Sequence, residues 1–320
     1  MPNSRFRTTP LRGAALLAGA AALALGGCAG GGAEGRAAAV PGPDDDRPVV
    51  LATFTVLADM ARVVGGGHVR VESVTKVGAE IHGYEPTPDD LRRAQDADLV
   101  LDNGLGLEAW FDRFVDRVDA PHVTLTDGIA TLPIASGAAE GHANPHAWMS
   151  PDAAATYVAN IERALTGLDP AHAADYRANA AAYTEQVTAL GERLRDELAG
   201  LEPERRALVT CEGAFSYLAR DAGLAEASLW PVNAERQGTP QQVARAIDLV
   251  RDRDVPAVFC ESTVSPTAQE QVARETGARL GGVLYVDSLS EPDGPVPTYL
   301  DLLEHDVHVI IEGLTAEEAP

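Results

Sequence analysis

From residue 49 onward, short runs of apolar residues alternate with longer stretches in which apolar residues recur every three or four positions. The short runs have the length and composition of strands, and the longer stretches have the period of amphipathic helices. The predicted strands are 49–54, 69–74, 98–102 and 122–125 in the first half, and 206–211, 227–230, 257–260 and 283–286 in the second. Helices between successive strands indicate βαβ units, so we predict an α/β fold with mainly parallel sheets flanked by helices.

The longest helical pattern lies between the two halves, from Asp169-Pro170 to about Gly200. Its apolar positions are spaced by three and four residues: Tyr176, Ala180, Tyr183, Val187, Leu190, Leu194 and Leu198. Roughly thirty residues at ~1.5 Å each span ~45 Å, enough to run along two lobes. We therefore expect an N-terminal lobe at 49–168, a linking helix at 169–200 and a C-terminal lobe at 201–320. One rigid connector allows only small relative movement of the lobes.

Several helix starts carry a hydroxyl residue followed by proline, the pair that favours an N-cap and a first helical position. These pairs are Thr87-Pro88, Ser150-Pro151, Thr239-Pro240 and Ser265-Pro266. Asp90 and Gln242 stand three residues after their caps, as in a capping box. The loops just before these helices therefore lie at the rim where parallel sheets collect their ligand sites.

The first 28 residues have the pattern of a lipoprotein signal peptide. Three arginines precede an apolar run at 14–25, which is shorter than the ~18 residues that would suggest a membrane span. The ending Leu25-Gly-Gly-Cys28 resembles a bacterial lipobox, whose cysteine becomes the lipidated N-terminus. An ordinary cleavage site with an incidental cysteine is the alternative. Residues 29–48 are rich in Gly, Ala, Pro and Asp and are predicted to form a flexible tether. The expected location is the extracellular face or periplasmic side of the cell membrane, through a lipid anchor.

The net charge is strongly negative, at −23 for the whole chain. Without the three arginines of the signal peptide, 22 basic side chains face 48 acidic ones, which gives −26. Such a surface argues against nucleic acid and anionic lipid headgroups as partners. Its main consequence is solubility.

Cys211 and Cys260 remain in the chain after Cys28, and both end predicted strands. If these strands are parallel neighbours, their ends lie ~5 Å apart, within reach of a disulfide. An even cysteine pair in an exported chain favours that bond. Two buried free thiols are the alternative.

Four residues with metal-binding side chains lie beside strand ends or just before helix starts: His82, His146, Glu212 and Asp287. Each alone is weak evidence, because a histidine in a loop is usually exposed and a carboxylate there can serve a turn or a cap. Together, two imidazoles and two carboxylates, two from each half, would enclose one divalent cation. The remaining histidines are interpreted as surface residues: His68, His122, His142, His172, His305 and His308.

The segments around these residues resemble the metal-binding solute receptors of ABC importers for manganese, zinc and iron. They read Ile81-His82-Gly-Tyr-Glu-Pro-Thr-Pro-Asp-Asp90, Asn144-Pro-His-Ala-Trp-Met-Ser-Pro151, Thr210-Cys-Glu-Gly-Ala-Phe-Ser-Tyr217, Gln237-Gly-Thr-Pro-Gln-Gln242 and Tyr285-Val-Asp-Ser-Leu289. The resemblance covers residues 49–314. It implies two α/β lobes joined by a long helix, with His82 and His146 from one lobe and Glu212 and Asp287 from the other. Asn144 departs from the family, where an aspartate often stands.

The ligand set favours Mn²⁺ as bound cargo, with Fe²⁺ next. Carboxylates that chelate through both oxygens allow more than four ligand atoms, unlike a tetrahedral, nitrogen-rich Zn²⁺ site. Zinc receptors of the resembling family often carry a third histidine and a long His/Asp/Glu-rich loop. Here the corresponding segment, 133–143, contains one histidine and one glutamate. Zinc can still bind tightly in vitro, since affinity follows the Irving–Williams order.

The predicted function is a solute-binding lipoprotein that passes its metal to a membrane permease with a cytoplasmic ATPase. We expect a monomer and no enzymatic activity. A metallohydrolase needs an open coordination position, and the sequence has no His-Glu-x-x-His motif or second metal cluster. A zinc or iron receptor and a metal-stabilised surface adhesin remain alternatives.

Overall fold

The computed structural model describes residues 46–111, 118–232 and 239–316. The predicted signal peptide with Cys28 lies outside the described residues, as does the predicted tether up to residue 45. Within the described part of the chain, no helix is both long and apolar enough to cross a membrane.

Four parallel strands form the sheet of the N-terminal lobe. They are β1 (Val49–Ala52), β2 (Arg70–Ser73), β3 (Leu99–Asp102) and β4 (His122–Thr124). Their order across the sheet is β2-β1-β3-β4. The central strand β3 is buried along its whole length and β1 at all but its first residue. Continuous apolar runs are typical of strands covered on both faces, and the predicted parallel sheet is confirmed.

Within the described residues, this lobe has the helices α1 (Thr55–Gly65), α2 (Pro88–Gln95) and α3 (Pro151–Leu168). The predicted caps of α2 and α3 are confirmed. Thr87 accepts from the backbone N–H of Asp90 in a complete capping box, and Ser150 accepts from that of Ala153. These caps fix where the preceding loops end, and both loops carry a histidine of interest.

The long connecting helix, α4 (Ala173–Leu198), begins four residues later than predicted. Its 26 residues span ~39 Å. Asp169 is non-helical, and Pro170–His172 form a separate 3-10 turn whose His172 bonds to the Asp169 carboxylate at 2.6 Å. All seven predicted apolar positions of α4 are buried. They join the buried residues of both lobes in one continuous core.

The described part of the C-terminal lobe has four strands: β5 (Ala207–Glu212), β6 (Ala225–Trp230), β7 (Ala257–Glu261) and β8 (Arg279–Leu284). Strand β5 pairs with β6 and β7 pairs with β8, both in parallel. A disulfide joins Cys211 to Cys260 across a Cα–Cα distance of 4.9 Å, so β5 and β7 lie side by side. The predicted α/β class with parallel sheets is therefore confirmed in this lobe as well.

The helices of this lobe are α5 (Ser216–Ala222), α6 (Pro240–Arg253), α7 (Thr267–Thr276) and α8 (Tyr299–Thr315). The capping box of Thr239 and Gln242 on α6 is confirmed. The predicted cap at Ser265 is wrong. Pro266 itself occupies the N-cap position of α7, without a side-chain cap bond.

The last strand also differs from the prediction, because β8 ends at Leu284 rather than extending to 286. It begins earlier, at Arg279, and includes Gly281 and Gly282, which hid it from an apolar pattern. A Cβ on Gly281 would lie 2.3 Å from the Phe259 ring, so only glycine fits this close approach of β8 to β7. The residues after Leu284 therefore form a loop that leads to Asp287.

Candidate metal centre

The four predicted ligand residues come together at the carboxyl ends of the strands. His82 lies in the loop between β2 and α2, and His146 directly precedes a 3-10 turn that leads into α3. Glu212 is the last residue of β5, and Asp287 follows β8. His146, Glu212 and Asp287 are at most 1% exposed, and the His82 side chain is 6% exposed. The site is therefore nearly closed to solvent.

The donor atoms have the spacing of ligands around one ion. The Nε2 atoms of His82 and His146 are 3.1 Å apart, and Glu212 Oε1 lies 3.5 and 3.6 Å from them. Donor atoms of His82, His146 and Asp287 lie within 4.8 Å of one another. Two ligands at ~2.1 Å from a metal are separated by ~3.0 Å at a right angle and by ~3.4 Å at a tetrahedral angle. The observed distances thus fit a single coordination sphere.

Asp287 supplies the strongest indication that a cation belongs here. Both of its carboxylate oxygens are buried, and neither has a hydrogen-bond partner among the residues that the structure describes. A buried carboxylate without partners is energetically costly, and such groups are normally paired or coordinate a metal. A divalent ion between this carboxylate and the two imidazoles would satisfy both oxygens.

Burial keeps the two histidines neutral. Burial lowers the pKa of His82 to about 4, with the negative charge of Glu80 opposing that shift. Burial also lowers the pKa of His146 well below its ordinary value, and the neighbouring His82 adds to the effect. A metal ligates only neutral imidazole, so both rings are ready to bind at neutral pH.

The carboxyl side shows the opposite shift. Burial raises the pKa of Asp287 well above its ordinary value, and the nearby Glu212 and Glu80 raise it further. A bound cation would reverse this shift because it stabilises the charged form.

Glu80 is a supporting residue that the sequence analysis missed. Its two oxygens accept the backbone N–H groups of His82 and Gly83 at 2.7 and 2.8 Å. These two hydrogen bonds fix the loop that carries His82. The only sequence signal was an acidic residue two positions before a candidate ligand.

Glu261 is a second supporting residue without a sequence prediction. It ends β7, is 3% exposed and accepts the backbone N–H of Glu212 at 3.3 Å to each oxygen. Burial raises the pKa of Glu261 to about 8. Its neighbour Cys260 forms the disulfide to Cys211, which adjoins Glu212. The end of β5 is thus held from the β7 side by both a covalent and a hydrogen-bonded contact.

Direct contacts join the two lobes around the site. Trp148 donates its indole N–H to the carbonyl of Val286 at 3.1 Å, and Tyr299 donates its hydroxyl to the carbonyl of Trp148. On another side, Ser288 accepts the backbone N–H of Gly78 at 2.7 Å. The four predicted ligands therefore face one another across a closed interface between the lobes.

Comparisons with known proteins find similar sequences. The family model "ZnuA: Zinc-uptake complex component A periplasmic" matches residues 50–313. The iron-binding protein YfeA of Yersinia pestis is 53% identical over 265 residues, which cover 82% of this chain and 85% of that protein. The manganese-binding lipoprotein MntA of Halalkalibacterium halodurans is 33% identical over 267 residues, 83% of this chain and 88% of that protein.

A solved structure is also similar to this chain. The Mn-bound periplasmic metal binding protein from Candidatus Liberibacter asiaticus matches with a TM-score of 0.79 and 39% identity, covering 84% of this chain and 100% of that chain. The chain therefore belongs to the family of periplasmic metal-binding proteins described as zinc-uptake complex component A, whose members are substrate-binding components of ABC transporters and not enzymes.

Proposed function

We propose that this protein captures Mn²⁺ between its two lobes and delivers it to the permease of an ABC importer with a cytoplasmic ATPase. His82, His146, Glu212 and Asp287 are the proposed ligands. The observation that carries the proposal is the pair of buried, partnerless oxygens on Asp287, which lies close to two neutral imidazoles. A cation would satisfy these oxygens and use the imidazole lone pairs at the same time.

The donor set supports Mn²⁺ over Zn²⁺. Two carboxylates beside two imidazoles offer up to six donor atoms, which suits a metal of high coordination number. Zinc prefers four ligands in a tetrahedron and gains less from the second oxygen of each carboxylate. Within the described residues, the other close group of donor atoms comprises Cys211, Cys260 and Glu261, and its sulfurs are consumed by the disulfide.

Fe²⁺ is the second candidate. The 53% identical relative is named an iron-binding protein, and Fe²⁺ and Mn²⁺ are neighbours in the Irving–Williams order. A site of two nitrogens and two carboxylates therefore discriminates poorly between them.

Elemental analysis tests the proposal directly. The protein would be purified from metal-limited medium and exposed to equal concentrations of Mn²⁺, Fe²⁺ and Zn²⁺ under anaerobic conditions. We expect one ion per chain in the wild type and none of the Mn²⁺ in an Asp287→Asn variant. Glu108→Gln is the matched control, because Glu108 is also a buried carboxyl but accepts from Thr53 and Asn103. Equal Mn²⁺ content in all three proteins would contradict the proposed site.

The lipid anchor at Cys28 is part of the same proposal. Relatives such as the Halalkalibacterium protein are named lipoproteins, and the Leu25–Cys28 ending has the lipobox pattern. We expect Cys28→Ala to release the protein from the membrane fraction, since the lipid is the proposed tether. Retention of that variant in membranes would contradict the anchor while leaving the metal site untouched. We also propose that the protein acts as a monomer. Analytical ultracentrifugation of the released form would check this.

A further inference from the structure

Asn144 links a proposed ligand on one lobe to the loop that follows a proposed ligand on the other. It is 2% exposed and lies two residues before His146. Its Oδ1 accepts from the backbone N–H of His146 at 3.0 Å and lies 2.9 Å from the ring Nδ1. Its Nδ2 donates to the carbonyl of Gly213 at 2.7 Å and to the hydroxyl of Ser216 at 3.1 Å.

The chemistry of these partners fixes which way the amide faces. A carbonyl oxygen only accepts, so the atom that faces Gly213 must be the NH₂ group. The amide oxygen then faces the ring of His146, and Nδ1 must carry the proton that it donates. The lone pair of His146 is thereby left on Nε2, the atom 3.1 Å from His82 Nε2 in the metal site. Both donors and both acceptor positions of the amide are used.

Gly213 and Ser216, which accept from the Asn144 amide, belong to the C-terminal lobe and follow Glu212 at the end of β5. Gly213 has no room for a side chain, because a Cβ would lie 2.4 Å from the carbonyl oxygen of Pro231. Its own N–H donates to the carbonyl of Trp230 at 2.9 Å. The Gly213 carbonyl therefore sits on a tightly held segment, and a bond to it positions one lobe relative to the other.

We propose that Asn144 is a positioning residue that couples the orientation of His146 to closure of the lobes and so sets how long the ion is retained. The inference rests on the proposed function, since it assigns a role in holding the cargo. An aspartate could still accept from His146 but has no donor for Gly213, so it would place a negative oxygen against a carbonyl oxygen. The amide, rather than a carboxylate, is what allows one side chain to serve both lobes.

The two tasks separate in two variants. Asn144→Asp keeps the acceptor for His146 and loses the donor to Gly213, whereas Asn144→Ala loses both. Asn160→Asp is the matched control. Asn160 is also 2% exposed, and its amide donates to two carbonyls, those of Leu125 and Asp127, within the N-terminal lobe.

Stopped-flow release of Mn²⁺ into excess EDTA, followed by tryptophan fluorescence, measures retention. The ring of Trp148 lies 5.1 Å from that of His146 and serves as the probe. We expect release to be about tenfold faster in Asn144→Asp and faster still in Asn144→Ala, within the ~10–100-fold range typical of lost outer-shell partners. An added negative charge alone would slow the release of a cation, so acceleration in Asn144→Asp reports the lost bond between the lobes.

Co²⁺ absorption spectra supply the second readout. The spectrum should be retained in Asn144→Asp, where His146 keeps its acceptor, and altered in Asn144→Ala. Asn160→Asp should match the wild type in both release rate and spectrum. Release from Asn144→Asp that is equal to or slower than wild type would overturn the inference. Failure of the wild type to bind one Mn²⁺ per chain would instead overturn the proposed function.

Discussion

The two lobes contribute to the proposed site in chemically opposite ways. The N-terminal lobe presents two neutral imidazoles whose supporting bonds are already made, because the His146 ring donates to Asn144 and the His82 backbone N–H donates to Glu80. The C-terminal lobe presents carboxylates, and no described residue bonds to either oxygen of Asp287. The first lobe is therefore complete without an ion, whereas the second needs one to compensate its buried acidity.

Because of this difference, we expect the C-terminal lobe to determine which metal ion is preferred. A neutral imidazole is inexpensive to bury, but an unpaired carboxylate costs several kcal/mol unless it takes up a proton or a cation. The raised pKa of Asp287 reflects that cost. The carboxylates thus drive the binding of hard ions with a high coordination number, whereas the imidazoles are ligands that suit many metals.

The largest expected effect concerns the bond that braces the acidic lobe. The disulfide closes a loop with a sequence separation of 49 residues, and its loss should lower the free energy of unfolding by ~4 kcal/mol on the chain-entropy model. Urea denaturation of a Cys211→Ala, Cys260→Ala double variant checks this. Mn²⁺ affinity should fall in the same variant, because Glu212 adjoins Cys211. An unchanged affinity would mean that the hydrogen bond from the Glu212 backbone N–H to Glu261 is sufficient to hold β5.

The second effect is stabilisation by the ion itself. Mn²⁺ at a hundred times its dissociation constant should add ~2.7 kcal/mol to the free energy of unfolding. Glu212→Gln should reduce the thermal shift with Mn²⁺ more than the shift with Zn²⁺, because zinc can persist on two imidazoles. His82→Gln should show the reverse order. If both variants lose the two metals equally, the proposed division between the lobes is wrong.

The third effect is a pair of opposite pH slopes in the metal-free protein. The pKa of His82 falls from 6.5 unfolded to about 4 folded, so its contribution is complete above pH 6.5. It is lost as the pH falls toward 4, at up to ~1.4 kcal/mol per unit. The pKa of Asp287 is raised, so its contribution is complete below its unfolded pKa of ~3.8 and is lost as the pH rises through the folded value.

Urea midpoints between pH 7 and 5 distinguish these two groups. His82→Gln should flatten the loss of stability on acidification. Asp287→Asn should instead raise stability at pH 7, where the wild type holds a buried carboxylate that favours its protonated form. The same slope in the wild type and in His82→Gln would argue against a buried neutral imidazole at this position.

The smallest effect compares helix starts in the two lobes. Thr87 closes a complete capping box on α2, so Thr87→Ala should cost ~1 kcal/mol of unfolding free energy. Ser265→Ala, before α7, should cost only a few tenths, since the helix has no side-chain cap and Ser265 only approaches the N–H of Thr267 at 3.5 Å. Equal costs in urea denaturation would mean that Ser265 caps α7 in solution.

Sequence patterns predicted the fold well where local chemistry decides the structure. The buried face of α4, the capping boxes and the continuous apolar strand β3 all follow from side-chain period or from bonds within three residues. The start of strand β8 was not predicted because it contains glycines. Gly281 is required by the close Phe259 ring of β7, and no local sequence pattern encodes that contact. The start of α4 was predicted too early because Pro170–His172 form a separate 3-10 turn, in which His172 bonds to the Asp169 carboxylate.

The site was only partly predictable for a related reason. The four proposed ligands could be found because each stands at a strand end or before a helix start, and parallel sheets bring such positions together. Their supporting residues depend on contacts between distant segments. Glu261 meets Glu212 across 49 positions, and the amide of Asn144 reaches Gly213 across 69. Neither partner is visible until the chain is folded.

The long helix α4 has a consequence for the lifetime of the protein in the cell envelope. Because its buried face belongs to the same core as both sheets, we expect the lobes to unfold together in one transition. Proteases that cleave unfolded chains then have access to both lobes or to neither. A bound ion lowers the fraction of unfolded molecules, and it does so equally for both lobes. We therefore expect molecules without an ion to be degraded sooner than those that carry one.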